Sequence, residues 1–208
     1  MATTKLIFCC ILFFTLTKTL AIPRPDNSQH TNEEHPPLTP KEHLFMFTID
    51  GFSNLTAFYV NRAANISEYI LKDATLTTTA ADNVAVQEFK KNLTDFLNKY
   101  QTHKEFEDLY VLVEEYSNTT SDYYEMAPEQ LTADKTIIVN ILRKYGSEQL
   151  DKEFKERYDR FAKDFGEEFK KVQIHLERKM LDWFDQFKGI TDMNERTVAF
   201  DKFFMLYL

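Results

Sequence analysis

The chain has 208 residues, a formal net charge of −8 at pH 7 and two cysteines. The acidic balance, without any cluster of basic residues, argues against a nucleic-acid ligand and against electrostatic attraction to anionic membranes. Cys9 and Cys10 both lie in the first segment, which we expect to be removed. The composition therefore excludes a disulfide scaffold and requires a packed core.

The first 21 residues have the pattern of an export signal. Lys5 precedes an unbroken apolar run, Leu6 to Phe14, and Thr19-Leu20-Ala21 provides small residues for a cleavage site. The run is too short to span a bilayer, which takes about 20 apolar residues, so we predict no transmembrane segment. We expect cleavage after Ala21 and a secreted, extracellular protein, with an uncleaved anchor as the alternative. Removal of 21 of the 208 residues leaves 187, and loss of Lys5 and Lys18 changes the net charge from −8 to −10.

Residues 22–38 have the composition of a disordered leader. They contain four of the six prolines among Asn, Ser, Glu and His, with hardly a hydrophobic residue. His30, His35 and the later His43 stand at spacings that match no usual pair of metal ligands. We therefore interpret these histidines as solvated residues and predict neither a metal site nor a cofactor.

Residues 39–208 are predicted to form one all-α domain, a bundle of five to seven amphipathic helices. No stretch alternates apolar and polar residues over the length of a strand. Five of the six prolines fall at or before Pro40, and the whole chain has four glycines, so the folded part contains few helix breakers.

The first helix begins at a capping box, Thr39-Pro40-Lys41-Glu42, with proline at the first helical position. We expect this helix to end near Lys72, although Asp50-Gly51 allows a bend or a split. The β-branched segment from Thr75 to Ala81 is short of helix formers and predicts a loop. Asp82 would then cap the next helix.

Two further helical stretches show apolar residues at steps of three and four. The first covers residues 83–100. The second, residues 102–116, starts with a capping-box pattern and is either a separate helix or the same one bent. Residues 117–122 are predicted to be a polar loop. Pro128 then opens another helical segment, and Gly146 is predicted to end it as a left-handed cap.

The stretch 147–188 organises the predicted fold. Its apolar residues recur at steps of four, four and three, and this eleven-residue period keeps one stripe along a helix of about 3.67 residues per turn. The opposite face places acids four residues before bases, as in Glu148/Lys152 and Glu167/Lys171. We predict one helix of roughly 60 Å, with a break near Gly166 left open. The stripe consists of Leu150, Phe154, Tyr158, Phe161, Phe165, Phe169, Val172, Leu176, Met180, Trp183 and Phe187.

The last segment is predicted to be a short closing helix. Gly189 stops the preceding helix, and Thr191 or Asp192 provides the next cap. The chain ends in six apolar residues, 203–208, which would be unfavourable in water. We therefore expect this end to pack on the bundle.

Four acceptor sequons for N-linked glycans are the most specific motifs in the sequence. Each has an asparagine two residues before Ser or Thr, with no intervening proline. A glycan must remain in water, so these asparagines are predicted to lie on the surface. Chance occurrence of one or two sequons, or poor use inside helices, is the alternative. The asparagines are Asn54, Asn65, Asn92 and Asn118.

The abundance of aromatic residues, 19 Phe and 10 Tyr, suggests a ligand site as well as a core. Helix bundles hold apolar ligands between facing helices. Between Ile174 and Phe187 the apolar arc widens, which fits packing of the closing helix or a groove for a lipid or a partner. Our first hypothesis is a secreted binding protein that carries a lipid or another apolar small molecule. The residues chosen for this site are Phe165, Phe169, Leu176, Met180, Trp183 and Phe187.

The second hypothesis is an extracellular protein-interaction or structural protein. It would use the long amphipathic helix, as in a coiled coil, to form a homodimer or to engage a protein partner. Catalysis has little support, because the sequence contains no G-x-S-x-G elbow, no H-E-x-x-H pair and no phosphate-binding glycine loop. We therefore predict that the protein is not an enzyme.

Overall fold

A computed structural model describes residues 37–79, 83–102 and 106–207. These residues form helices joined by short turns, with no β-strand among them, which confirms the all-α prediction. The predicted signal and most of the predicted leader, residues 1–36, lie outside the described residues. The described α-helices are α1 (Pro40–Leu71), α2 (Ala74–Thr79), α3 (Val84–Thr102), α4 (Phe106–Glu125), α5 (Ala133–Lys144), α6 (Ser147–Val172), α7 (Arg178–Phe187) and α8 (Met193–Met205).

The described helices divide into two compact units. Unit 1 consists of the described residues between Phe52 and Phe161, and unit 2 consists of residues 37–51 together with residues 162–207. α1 and α6 each contribute residues to both units. Among the described residues, no helix has the length and hydropathy of a membrane span.

The core of unit 1 is built from apolar side chains of α1 to α6. The ring of Phe154 on α6 lies 5.1 Å from that of Tyr59 on α1, and Phe161 lies 4.9 Å from Phe52. Both pairs meet edge to face, the arrangement that the charge distribution of aromatic rings favours. The first half of the predicted stripe therefore packs on α1.

The core of unit 2 is rich in aromatic residues. It is formed by the start of α1, the second half of α6, and the short helices α7 and α8. Phe45 on α1 lies 5.8 Å from Phe204 and 4.6 Å from Tyr207, measured between ring centroids. The predicted packing of the C-terminal end is therefore confirmed within this unit.

α1 is continuous, and its predicted start is confirmed. The Thr39 amide donates to the Glu42 carboxylate at 2.8 Å, while the Glu42 amide donates to Thr39 Oγ1 at 3.2 Å. The helix runs through Asp50-Gly51 without a break. A glycine inside a helix costs about 1 kcal/mol, and burial of Phe45 and Phe52 on either side outweighs that cost.

The predicted loop at residues 75–81 is wrong for residues 75–79, because α2 covers Ala74–Thr79. Residues 80 and 81 lie outside the described part of the chain. Asp73 caps this short helix, since its carboxylate accepts a hydrogen bond from the Thr75 amide at 2.8 Å. Leu76 is fully buried and anchors the helix to the core of unit 1. A run of threonines has weak helix propensity, and here the cap and the buried leucine override it.

The helix after this segment is capped by Asn83, whose side chain accepts a hydrogen bond from the Val86 amide at 3.0 Å. Asp82, the predicted cap, lies outside the described residues. So do residues 103–105 of the second predicted capping box.

The predicted polar loop at residues 117–122 is also wrong, because α4 continues to Glu125. Thr120 is fully buried, and its hydroxyl donates to the Tyr116 carbonyl at 2.9 Å. Thr119 makes the same bond to the Glu115 carbonyl at 2.8 Å. These bonds satisfy the hydroxyl groups inside the helix, so the polar composition does not end it.

The predicted single helix over residues 147–188 is corrected. α6 ends at Val172, a 3-10 turn covers Gln173–His175, and α7 begins at Arg178. A continuous helix would place Phe184 roughly 22 Å from Phe169, at 1.5 Å per residue. Their ring centroids are 4.0 Å apart, so α7 folds back on α6 and buries its own apolar face.

Gly166, where a break was considered, lies inside α6. A methyl group added at this glycine would meet the ring of Phe184 at 3.8 Å, an ordinary van der Waals contact, so the packing of α7 on α6 does not require glycine here. The two predicted helix signals on either side are confirmed. Gly146 has a φ of +82°, and Asp192 accepts hydrogen bonds from the amides of residues 194 and 195.

Candidate functional site

The six residues predicted to bind an apolar ligand all belong to unit 2. Ring contacts bring four of them together, namely Phe165, Phe169, Trp183 and Phe187. All six are buried, with at most 9% of any of them exposed. The structure adds three rings that were not chosen from the sequence: Phe184 on α7, and Phe200 and Phe203 on α8. We call the following seven residues the aromatic cluster: Phe165, Phe169, Trp183, Phe184, Phe187, Phe200 and Phe203.

Phe165 lies at the centre of the aromatic cluster. Its ring is 4.9 Å from Phe200, 5.2 Å from Phe203 and 5.6 Å from Phe187, measured between centroids. These three contacts are edge to face, at interplanar angles of 73° to 84°. α6, α7 and α8 are therefore held together by one central ring.

Two parallel stacks complete the aromatic cluster. The rings of Phe169 and Phe184 are 4.0 Å apart at an interplanar angle of 10°, and those of Trp183 and Phe187 are 5.0 Å apart at 22°. The indole N–H of Trp183 donates to the Ala199 carbonyl at 2.9 Å. Trp183 thereby joins α7 to α8 through a polar bond as well as through its ring.

The segment between α6 and α7 is short and weakly anchored. Glu177 precedes α7 without capping it by a side-chain hydrogen bond. Its carboxylate accepts a hydrogen bond from the Lys41 ammonium at 2.8 Å, an exposed ion pair of the kind that adds little stability. The Tyr207 hydroxyl donates to the Lys41 carbonyl at 3.0 Å. The N-terminal turn of α1 thus contacts both the start of α7 and the chain end.

Ile174 does not belong to the buried surface, although the sequence placed it in the widened apolar arc. It lies in the 3-10 turn and is 82% exposed. The turn changes the helical phase, so residues on either side of it no longer share one face. Ile174 is therefore the most exposed of the large hydrophobic residues that the structure describes.

Asp201 is a buried acidic residue on α8, next in sequence to Phe200 of the aromatic cluster. Burial raises the pKa of its carboxyl group to about 6. No ion pair to Asp201 is found among the described residues. Unit 2 therefore carries a carboxylate that is costly to ionise close to its apolar core.

The charged face of α6 is exposed, as predicted. Lys152 pairs with Glu148 at 3.7 Å, which confirms that i,i+4 pair. Lys171 pairs with Glu168, three residues away, instead of the predicted Glu167. Such exposed pairs add little stability.

All four sequon asparagines are exposed, and all lie in helices of unit 1. Asn54 and Asn65 are on α1, Asn92 is on α3, and Asn118 is on α4. Asn118 is therefore helical, whereas the sequence placed it in a loop. Exposure of the asparagine is the condition that a glycan requires in the folded protein.

No group of three His, Cys, Asp or Glu side chains among the described residues is arranged to hold a metal ion. His43 and His175 are exposed and far apart in sequence. The aromatic cluster therefore offers mainly apolar contact, since the Trp183 N–H is already bonded to the Ala199 carbonyl. Comparison with known proteins gives no match, since no family model, no curated protein and no solved structure is significantly similar to this chain.

Proposed function

We propose that the protein is a secreted, non-enzymatic binding protein that holds an apolar small molecule or lipid between the helices of unit 2. The observation that carries this proposal is the aromatic cluster. Seven rings from three helices surround one another there, and the polar bonds within it are few. Such a site would recognise its ligand mainly by apolar contact.

The ligand would enter by displacing α7. This helix has only ten residues and is held mostly by rings on one face. Apolar contacts are not directional, so an acyl chain or a ring system can replace the stack of Phe169 and Phe184. Two hinges would allow α7 to move. One is the weakly anchored segment before α7, and the other is the turn after it, residues 188–192.

The proposal is tested with cis-parinaric acid, a fluorescent fatty acid. Trp183 is the only tryptophan of the chain and lies in the aromatic cluster, so a bound probe should accept energy from it. We expect saturable binding at micromolar protein, with quenching of Trp183 emission. Absence of saturation, or saturation with unchanged Trp183 emission, would contradict binding at this site.

A matched pair of variants tests which unit binds the ligand. Phe169→Leu alters the aromatic cluster, while Phe89→Leu makes the same change at an equally buried residue of unit 1. Phe169→Leu should raise the dissociation constant at least several-fold, and Phe89→Leu should leave it unchanged. Equal effects of the two variants would argue against unit 2 as the binding unit.

A second candidate function is binding of a protein partner, and the exposure of Ile174 favours it. The apolar stripe of α6 is covered by the chain's own helices in each unit, so a partner or a second copy would use a different surface. We expect Ile174→Glu to abolish any concentration-dependent dimer observed by sedimentation. A dimer that persists in this variant would exclude Ile174 from the contact.

We also propose that the protein is glycosylated in a host that attaches N-linked glycans. The exposure of all four asparagines supports this. Enzymatic removal of N-linked glycans should lower the mass of the secreted protein, and each Asn→Gln variant at an occupied site should remove one glycan. An unchanged mass after treatment would contradict the proposal.

A further inference from the structure

A second polar feature lies in unit 1, away from the aromatic cluster. The Tyr59 hydroxyl on α1 donates to a carboxylate oxygen of Asp151 on α6 at 2.7 Å. One turn before Asp151, the hydroxyls of Ser147 on α6 and Tyr116 on α4 are 2.9 Å apart. The rings of Tyr59 and Tyr116 meet edge to face at 5.9 Å. These groups form one buried patch where three helices meet.

Tyr124 on α4 belongs to the same patch. Its hydroxyl is buried beside that of Ser147. Burial raises the pKa of Tyr124 well above the usual range, the Ser147 hydroxyl lowers it, and the charge of Asp151 adds to the rise. We call Tyr59, Tyr116, Tyr124, Ser147 and Asp151 the polar cluster.

The polar cluster contains a carboxylate but no cation. The groups that face Asp151 are the phenols of Tyr59 from α1 and of Tyr116 and Tyr124 from α4, and Glu148 lies on its own helix. Arg62, one turn from Tyr59 on α1, pairs with Glu153 at 3.8 Å. An ionised Asp151 is therefore stabilised by one phenol and opposed by burial and by Glu148.

We propose that the polar cluster is a proton-binding site, which takes one proton from solvent onto the Asp151 carboxylate and thereby tightens the packing of α1, α4 and α6. Protonation removes a partly buried negative charge. It also supplies an additional O–H donor in a patch of hydroxyl oxygens that can accept a hydrogen bond. Unit 1 is then most stable in mildly acidic surroundings.

The direction in which stability changes with pH follows from the pKa of Asp151 in the folded protein. Burial is the main cause that raises the pKa of Asp151 from 3.8 to about 6, and Glu148 adds to it, while the Tyr59 hydrogen bond opposes it. A folded-state pKa above the unfolded value means that the folded protein takes up a proton first. Stability therefore increases as the pH falls through about 6, and the increase is complete below about 4.

The test compares melting temperatures of the full chain at about pH 7.5 and about pH 5. The Asp151→Asn variant keeps the shape of the side chain and the acceptor for Tyr59, but it cannot titrate. At the higher pH its melting temperature should be above that of the wild type. On acidification its melting temperature should rise less than that of the wild type, by roughly 3–5 °C. Glu156→Gln, which neutralises an exposed carboxylate of the same helix, should behave as the wild type.

Asp201 titrates in the same range in unit 2, so the wild-type rise contains a second contribution. Asp201→Asn should remove the Asp201 contribution to the rise in melting temperature. The variant that carries both Asp151→Asn and Asp201→Asn should show neither contribution. The proposal is overturned if Asp151→Asn retains the whole wild-type pH dependence.

A second measurement keeps the proposal testable if Asp151→Asn does not fold. In wild-type protein labelled with ¹³C at the aspartate carboxyl carbons, two resonances should titrate near pH 6, and one of them should be absent in Asp201→Asn. If only the Asp201 resonance titrates above about pH 5, Asp151 is not a proton-binding site.

Discussion

Truncation of Phe165 should destabilise the protein more than truncation of any ring that has fewer ring neighbours. Phe165 is fully buried, and six other rings lie within 6.4 Å of it. Phe→Ala changes in cores cost about 3–5 kcal/mol, and each well-arranged ring pair adds about 0.5–1.5 kcal/mol in a way that is not additive. We therefore expect Phe165→Ala to lose about 5 kcal/mol.

Phe161→Ala is the matched control, because this ring lies one turn earlier on α6. Phe161 is 8% exposed, and the ring pairs described for it are with Phe52 and Tyr158. We expect a loss of about 3 kcal/mol. Urea unfolding at neutral pH, followed by circular dichroism and by Trp183 emission, measures both variants. Equal losses would refute the argument that Phe165 joins three helices.

The cavity left by Phe165→Ala provides a second readout. It would be lined by rings, and dry apolar cavities of this kind bind benzene. Benzene should therefore raise the midpoint of unfolding of Phe165→Ala more than that of the wild type, because ligand binding to the folded state stabilises it. No such difference would show that neighbouring rings collapse into the space.

Three further predictions concern single polar side chains. Asp201→Asn should raise the free energy of unfolding at about pH 7.5 by about 1–2 kcal/mol. This is half of the free energy that a rise of the pKa from 3.8 to about 6 implies for a fully buried group. Urea unfolding at two pH values measures the effect. Thr39→Ala removes the cap that pairs with Glu42 and should cost about 1 kcal/mol in the same assay, whereas Thr39→Ser should cost almost nothing. Asp73→Asn should cost about 2 kcal/mol near neutral pH, because Asp73 accepts charge-assisted bonds from Lys144 and the Thr75 amide. Those bonds hold the pKa of Asp73 well below its usual 3.8, so this contribution is present above that pH and disappears as the pH falls further; a loss that does not depend on pH would contradict the assignment.

The parts of the fold that depend on periodicity were predictable from the sequence. The stripe that runs from α6 to α7 identified buried residues correctly, apart from the half-buried Val172, even though these residues do not form one straight helix. Hydrophobic periodicity indicates which side chains are buried. Phe169 and Phe184 are buried because they pack on each other. The sequence contains no equally strong signal for the direction of the chain after Val172, because a 3-10 turn requires neither Gly nor Pro.

The segments that differ from the sequence-based prediction have a common physical cause, because side-chain hydrogen bonds and tertiary contacts override local composition there. Thr120 looked like a loop residue, yet its hydroxyl bonds to its own helix. Leu76 lies in a segment predicted to be a loop, yet it is fully buried. The polar cluster was missed for the same reason. Tyr59 lies on a predicted apolar face and Asp151 beside one, but nothing in their spacing indicates that a phenol and a carboxylate meet across two helices.

The division of unit 2 between residues 37–51 and residues 162–207 determines the order in which the protein can be completed during synthesis. All the described parts of unit 1 have been translated by Phe161, whereas Phe45 must wait for Phe204 and Tyr207. At about 5–20 residues per second, the ribosome needs roughly 2–9 s to add residues 162–207. During that interval the nascent chain presents an uncovered aromatic segment, which is where a chaperone would be expected to bind.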